Sequence, residues 1–232
     1  MDPRYKSPTT ELVDTELEYE FRDLTTFTSV LVWMLRIGAA LAVVGAWFAW
    51  QKIALLSGDH PDIEAAAIAA ETSRNESLIA GATGLLMLAT LFVFGRWIVV
   101  AHRNLPALGA QRLEFRPGWA LGFFFIPILN WWKPYQAMRS LWRSSNSVHR
   151  PELQESPWML PAWWTCWVVY SLVANGSWRS GRDGATFDLV ENGVYGLLCV
   201  FASLVVSRIW NAQAHQRDNP EEAPRGFADA PA

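Results

Sequence analysis

Four long apolar runs, at about residues 28–50, 78–101, 157–178 and 189–210, constrain this chain more than any other feature. Each supplies the roughly 20 apolar residues needed to cross a hydrocarbon core about 30 Å thick. Arg36 is the only charge in the first run and Arg96 the only one in the second. The third has none, and the fourth has Glu191 near its start and Arg208 near its end. None carries the polar stripe of a surface helix in a soluble protein. Charged residues make up 18% of the 232-residue chain, below the roughly 25% of a soluble domain. The expected class is therefore an all-α polytopic membrane protein with four transmembrane helices. Three regions are expected: an acidic N-terminal segment (1–26), one membrane domain (27–211) and a disordered tail (212–232) rich in Ala, Pro and Glu. Residues 11–25 place Val13, Leu17, Phe21 and Leu24 at helical spacing, which predicts a short lead-in helix. No signal peptide is read at the N-terminus, where acidic residues stand in place of a basic stretch and short apolar core.

Lysine and arginine set the orientation of such a chain, because cytoplasmic loops carry the excess. The N-terminal segment, the stretch between the second and third runs and the C-terminal tail together hold twelve basic residues. The two remaining loops hold four: Lys52, Arg74, Arg179 and Arg182. Those loops also hold the acidic cluster Asp59, Asp62, Glu64, Glu71 and Glu76. Both termini and the central segment are thus expected in the cytoplasm. Arg36, Arg96 and Arg208 then all fall toward the cytoplasmic face, where long side chains can reach headgroups. Trp50, Trp97, Trp158, Trp178 and Trp210 lie near span ends and are expected to act as interfacial anchors. Gly38, Ala42 and Ala46 form a small-residue stripe suited to close helix packing within the bundle. Gly81, Gly84, Gly193 and Gly196 are expected to supply smaller notches.

The central segment Arg116–Ser145 opens on a Pro-Gly break and continues as an uncharged run from Pro117 to Trp132. Sixteen residues, interrupted by Pro127, fall short of a comfortable span. Broken backbone at membrane depth is tolerated where protein covers it, so the run is read as a re-entrant or interfacial element. A fifth span is the alternative, but it would invert everything that follows and separate the three intraspan arginines. From Lys133 to Ser145, Tyr135, Met138, Leu141 and Trp142 share one helical face, opposite Gln136, Arg139, Ser140 and Arg143. That pattern predicts an amphipathic cytoplasmic helix in the membrane interface.

Arg103-Asn104-Leu105-Pro106-Ala107-Leu108-Gly109, Pro117-Gly118-Trp119, the run from Pro127 to Met138 (PILNWWKPYQAM) and Leu141-Trp142-Arg143 resemble the signature of a bacterial multipass membrane family, domain of unknown function 4328. The resemblance is specific over about residues 96–145 and otherwise extends only to span arrangement over about 25–212. It implies a bacterial inner (plasma) membrane protein and no particular activity. The acidic N-terminal extension and the loop at 57–77 are not matched to the pattern.

Little in the sequence carries chemistry. No H-E-x-x-H, G-x-S-x-G, Walker or Rossmann run occurs, and no catalytic residue, metal site or cofactor is expected. Cys166 and Cys199 sit apart in apolar runs, without ligand spacing. His60, His102, His149 and His215 are expected to be exposed or interfacial. Asp188 and Glu191 fit the first turn of the fourth span, where carboxylates complement the helix dipole. Asn175, Asn192 and Ser203 are candidates for hydrogen bonds between helices. The sharper site hypothesis is a basic–aromatic face for a lipid headgroup or other anion, since arginine forks suit phosphate. Its candidates are Arg96, Arg103, Asn130 and Trp132, with Lys133, Tyr135, Arg139 and Arg143 from the following helix.

Three functions follow from these features. The first is a non-enzymatic scaffold, regulatory or partner-binding module contacting lipid headgroups or a protein. The second is a small transporter or channel using the broken element 117–132, which requires a continuous polar path through the bundle. The third is a lipid-modifying membrane enzyme, for which an interfacial nucleophile or acid–base pair is missing. The expected partners are membrane lipids, with another membrane protein or self-association as the further candidate; no nucleic acid is expected.

Overall fold

Every described element is helical, as apolar runs must be if their backbone groups are to be satisfied within hydrocarbon. The computed structural model describes residues 20–57, 62–110, 113–147, 153–180 and 184–219, with 56–57, 62–70, 72 and 175–180 described by backbone alone. Helix α1 spans Thr25–Ser57, α2 Asp62–Ala107, α3 Pro117–Gly122, α4 Lys133–Asn146, α5 Met159–Ser180 and α6 Ala185–Asp218, with one 3₁₀ turn at Leu129–Trp131. Helices α1, α2 and α6 contain runs long and apolar enough to cross a membrane, over Thr25–Leu55, Ser73–Ala107 and Ala185–Asp218. Helix α5 contributes a shorter apolar run, Met159–Ala174, within the residues whose side chains are described.

Helix α6 is central, packed on α1, α5 and α4, while α1 also packs on α2. The α1–α6 seam is built from small residues. Gly38 faces Tyr195 and Cys199, Gly45 faces the Asn192 side chain, and Ala42 meets Gly196. The buried stripe passes through Gly45 and Ala49 rather than the expected Ala46. A strict four-residue repeat drifts around a helix of 3.6 residues per turn, so a straight seam alternates steps of three and four. Gly196 is a packing notch as expected. Gly81, Gly84 and Gly193 are not: nothing lies within 4 Å of where a Cβ would stand.

Several expectations change at the helix ends. The loop expected at 57–77, with its helix-compatible alanine run Ala65–Ala70, is helical from Asp62, and that run is part of α2. The tail expected from 212 remains helical to Asp218. Tertiary contacts hold it: buried Gln213 donates from Nε2 to the Ala101 carbonyl (2.9 Å) and to Ser145 Oγ (3.0 Å). Trp50 and Trp158 are exposed, but Trp97 and Trp210 are buried between helices rather than serving as anchors. Trp97 donates from Nε1 to Thr28 Oγ1 (3.0 Å), and Trp210 stacks on Phe21. His102 is buried rather than interfacial, donating from Nδ1 to the Ile98 carbonyl (2.8 Å), because α4 covers this end of α2. Asn192 and Ser203 bond to carbonyls of their own helix, at Asp188 and Val200, instead of crossing between helices. Residues 1–19 and 220–232 lie outside the described residues, and with them most of the lead-in helix and tail, as do His60, Arg112, His149, Arg150 and Arg182.

The element after α2 does not extend into a span. Helix α3 has six residues, about 9 Å of rise. Burial of Ala120 and insertion of Phe124 hold it to the bundle. Phe124 meets Phe94 edge-on at 5.9 Å and Trp167 at 6.2 Å, and Phe94 also touches Trp97 and Trp163. The opposite side of this element leaves Trp119, Phe125, Ile128, Trp131 and Trp132 exposed. Helix α4 buries Ala137, Met138, Leu141 and Trp142 against the bundle, leaves Gln136 and Arg139 exposed, and holds Tyr135, Ser140 and Arg143 half-buried.

Candidate functional site

Among the described residues two of the recesses bear on function. On the side of the helix α6 N-terminus, a cavity of about 320 Å³ is lined by Glu76 and Thr83 of α2, Tyr170 of α5, and Asp188, Glu191 and Asn192 of α6. Asp188 lies in the first turn of α6, as expected, while Glu191 lines this cavity about one turn deeper. Lys52 pairs with Glu76 at 3.3 Å and with Asp188 at 3.8 Å. Toward the other end the lining turns apolar: a void of about 70 Å³ is bordered by Phe94, Phe124, Trp163 and Trp167. The polar lining therefore does not continue past the aromatic layer among the described residues.

The second recess is a groove of about 420 Å³ along the outer face of α2. Phe92, Arg96, Val99 and Arg103 recur at steps of four, three and four, with Gly95 beside them, so they form one stripe on that helix. Leu121 and Phe125 form the facing wall, and Arg22 completes the lining. Helix α3 can approach because Gly95 lacks a side chain: a Cβ there would stand 3.1 Å from Leu121 Cδ1. Arg96 and Arg103 are exposed.

Arg22 is held beside the groove by its main chain. Asn104, fully buried, accepts the Arg22 N–H at Oδ1 (3.0 Å) and donates from Nδ2 to the Arg22 carbonyl (2.9 Å). Around this pair, Leu24 is buried, Phe21 stacks on Trp210, and Arg217 lies 5.4 Å over the Phe21 ring. Asp23 accepts the Thr25 N–H at 2.6 Å and pairs with Arg217 at 3.5 Å. The Thr25 hydroxyl and N–H, helped by Arg217, hold the Asp23 carboxyl below its ordinary value. Residues 20–24 thus form a strap joining the ends of α2 and α6.

Of the eight residues singled out in the sequence, the structure brings Arg96 and Arg103 into this groove. The other six lie along the turn and α4. Lys133 Nζ sits 5.6 Å from the Phe115 ring and 6.0 Å from the Phe123 ring. Tyr135 packs on Trp164 at 6.4 Å, and Arg139 Nε donates to Ser156 Oγ at 3.2 Å. Trp132 is exposed, and Asn130 Oδ1 and Arg143 Nε are buried without a hydrogen-bond partner among the described residues. Arg22, the third guanidinium of the groove, was not singled out. Its only sequence signal is indirect, through Phe21 and Leu24 at helical spacing beside it. Among the described residues no three His, Cys, Asp or Glu side chains are grouped to hold a metal ion.

A family model described as a domain of unknown function, DUF4328, matches residues 59–209 and so takes in most of the loop at 57–77 that the sequence left unmatched. No curated protein matches the chain, and no solved structure does.

Proposed function

The chain belongs to the DUF4328 family, a domain of unknown function, and from that premise we propose a non-enzymatic membrane module that holds an anionic phospholipid against α2. One observation carries the reading: Arg22, Arg96 and Arg103 line a single groove whose remaining walls are Leu91, Phe92, Val99, Val100, Leu121 and Phe125, with Gly95 at its base. Guanidiniums bind phosphate through paired N–H donors, and the apolar walls suit the start of an acyl chain. Among the described residues none of the three guanidiniums has a carboxylate partner, so the charge is available to a ligand.

In this reading α1, α2, α5 and α6 are the four spans of a bacterial inner membrane protein, with both termini cytoplasmic. The basic asymmetry of the loops supports that orientation. Exposed Trp119, Phe125, Ile128 and Trp131 then dip into the cytoplasmic leaflet as an interfacial wedge beside the groove. The aromatic layer around Phe94 argues against a transport path, since it interrupts the polar lining.

The test is mass spectrometry of phospholipid copurifying with the intact chain in mild detergent. Wild type is expected to retain anionic phospholipid, and Arg96→Gln plus Arg103→Gln to lose it. Retention by that double variant, with loss in Arg139→Ala plus Arg143→Ala, would move the site to α4 and refute the groove.

A further inference from the structure

The guanidiniums of the groove are arrayed along the helix rather than across it. Arg96 and Arg103 are seven residues apart, about 10 Å along the α2 axis and within about 20° of the same face. Arg22, fixed by Asn104, borders both the groove and an adjoining recess of about 160 Å³ that it shares with Arg96, Leu24 and Phe27. Asp23 also borders that recess, but its carboxylate is engaged by Thr25 and Arg217. The groove therefore presents three positive charges beside apolar walls.

An ordinary phosphodiester headgroup brings one negative charge. It can pair with one of the three exposed guanidiniums, whereas a dianion can form charge-assisted hydrogen bonds with two or more. At about 420 Å³ the groove is near the lower end of small-ligand pockets, roughly 300–1,000 Å³. That is room for one headgroup and the first part of one chain. Resting on the lipid-holding reading above, we infer that the occupant is a lipid phosphate with two negative charges at the end of its chain, a diphosphate or a phosphomonoester, lying along α2. Its phosphate end spans the arginines, and its chain descends past Gly95 between Phe92 and Leu121.

The full chain in phosphatidylcholine nanodiscs is titrated, at equal total added charge, with phosphatidylglycerol, phosphatidate and a single-chain isoprenyl diphosphate; inorganic diphosphate is the lipid-free arm. The dianionic lipids are expected to bind about tenfold or more tighter than phosphatidylglycerol. Arg22→Gln, which keeps the main-chain bonds to Asn104, is expected to abolish that preference without changing the melting temperature; Arg103→Gln is the second variant, read in the same way. Equal binding of all three lipids overturns the inference and leaves the anionic-lipid reading standing. Binding of no lipid overturns both. Inorganic diphosphate binding as tightly as the lipid diphosphate would show a soluble anion site and overturn both as well.

Discussion

Replacing Asn104 with alanine removes both hydrogen bonds that tie the Arg22 main chain to α2. Each is worth a net of about 1 kcal/mol, so the strap loses about 2 kcal/mol of local stability, roughly 30-fold in its opening equilibrium. Buried Leu24 and the Phe21–Trp210 stack are untouched, which confines the effect to the strap. Hydrogen–deuterium exchange of the Arg22 amide in the detergent-solubilised chain should therefore accelerate about 30-fold, while α1 and α6 interior amides keep their rates. Asn104→Asp is the sharper variant. One oxygen still accepts from the Arg22 N–H, but the other now faces the Arg22 carbonyl, acceptor against acceptor. Its exchange at neutral pH should be at least as fast as that of the alanine variant. Exchange within about threefold of wild type for alanine, or full protection in the aspartate variant, would refute the clamp.

Two further outcomes follow from packing and charge. Gly45→Ala drives a methyl into the Asn192 side chain and should destabilise by about 1–3 kcal/mol. Gly84→Ala, with nothing within 4 Å, should be neutral or stabilising by a few tenths of a kcal/mol up to about 1; thermal melts of the two variants separate these. Asp23 has a folded pKa below its ordinary value of 3.8, so its contribution to the first turn of α1 is complete above that value. It is lost as pH falls through the lower folded value. Protection of the Thr25 amide, taken against its intrinsic exchange rate at each pH, should fall on acidification below about pH 4 in wild type, and should already be low at pH 7 in Asp23→Ala.

The helices were legible because apolar length is a local property that any window of the chain reveals. Orientation within the bundle was not, since it depends on partners distant in sequence. Trp97 and Trp210 sit where interfacial anchors belong along the chain, yet each faces a neighbouring helix. The same holds for the site. Arg96 and Arg103 were readable as a pair, because their spacing of seven sets them on one face. Arg22 joins them only through an asparagine 82 positions away, and no periodicity encodes that contact. Arg139 and Arg143 looked equivalent to Arg96 and Arg103 by composition, but the turn before α4 carries them to a different part of the surface. Gln213 gave no warning that α6 would continue past 212; its partners are on α2 and α4.

Helix α5 sets a length that its neighbours exceed. Its 22 residues, Met159–Ser180, rise about 33 Å, close to a hydrocarbon thickness of about 30 Å. Helices α1, α2 and α6 have 33, 46 and 34 residues. In a bilayer those three would tilt or extend past the hydrocarbon, and the Lys52–Glu76 pair at 3.3 Å would tie the extending part of α1 to α2.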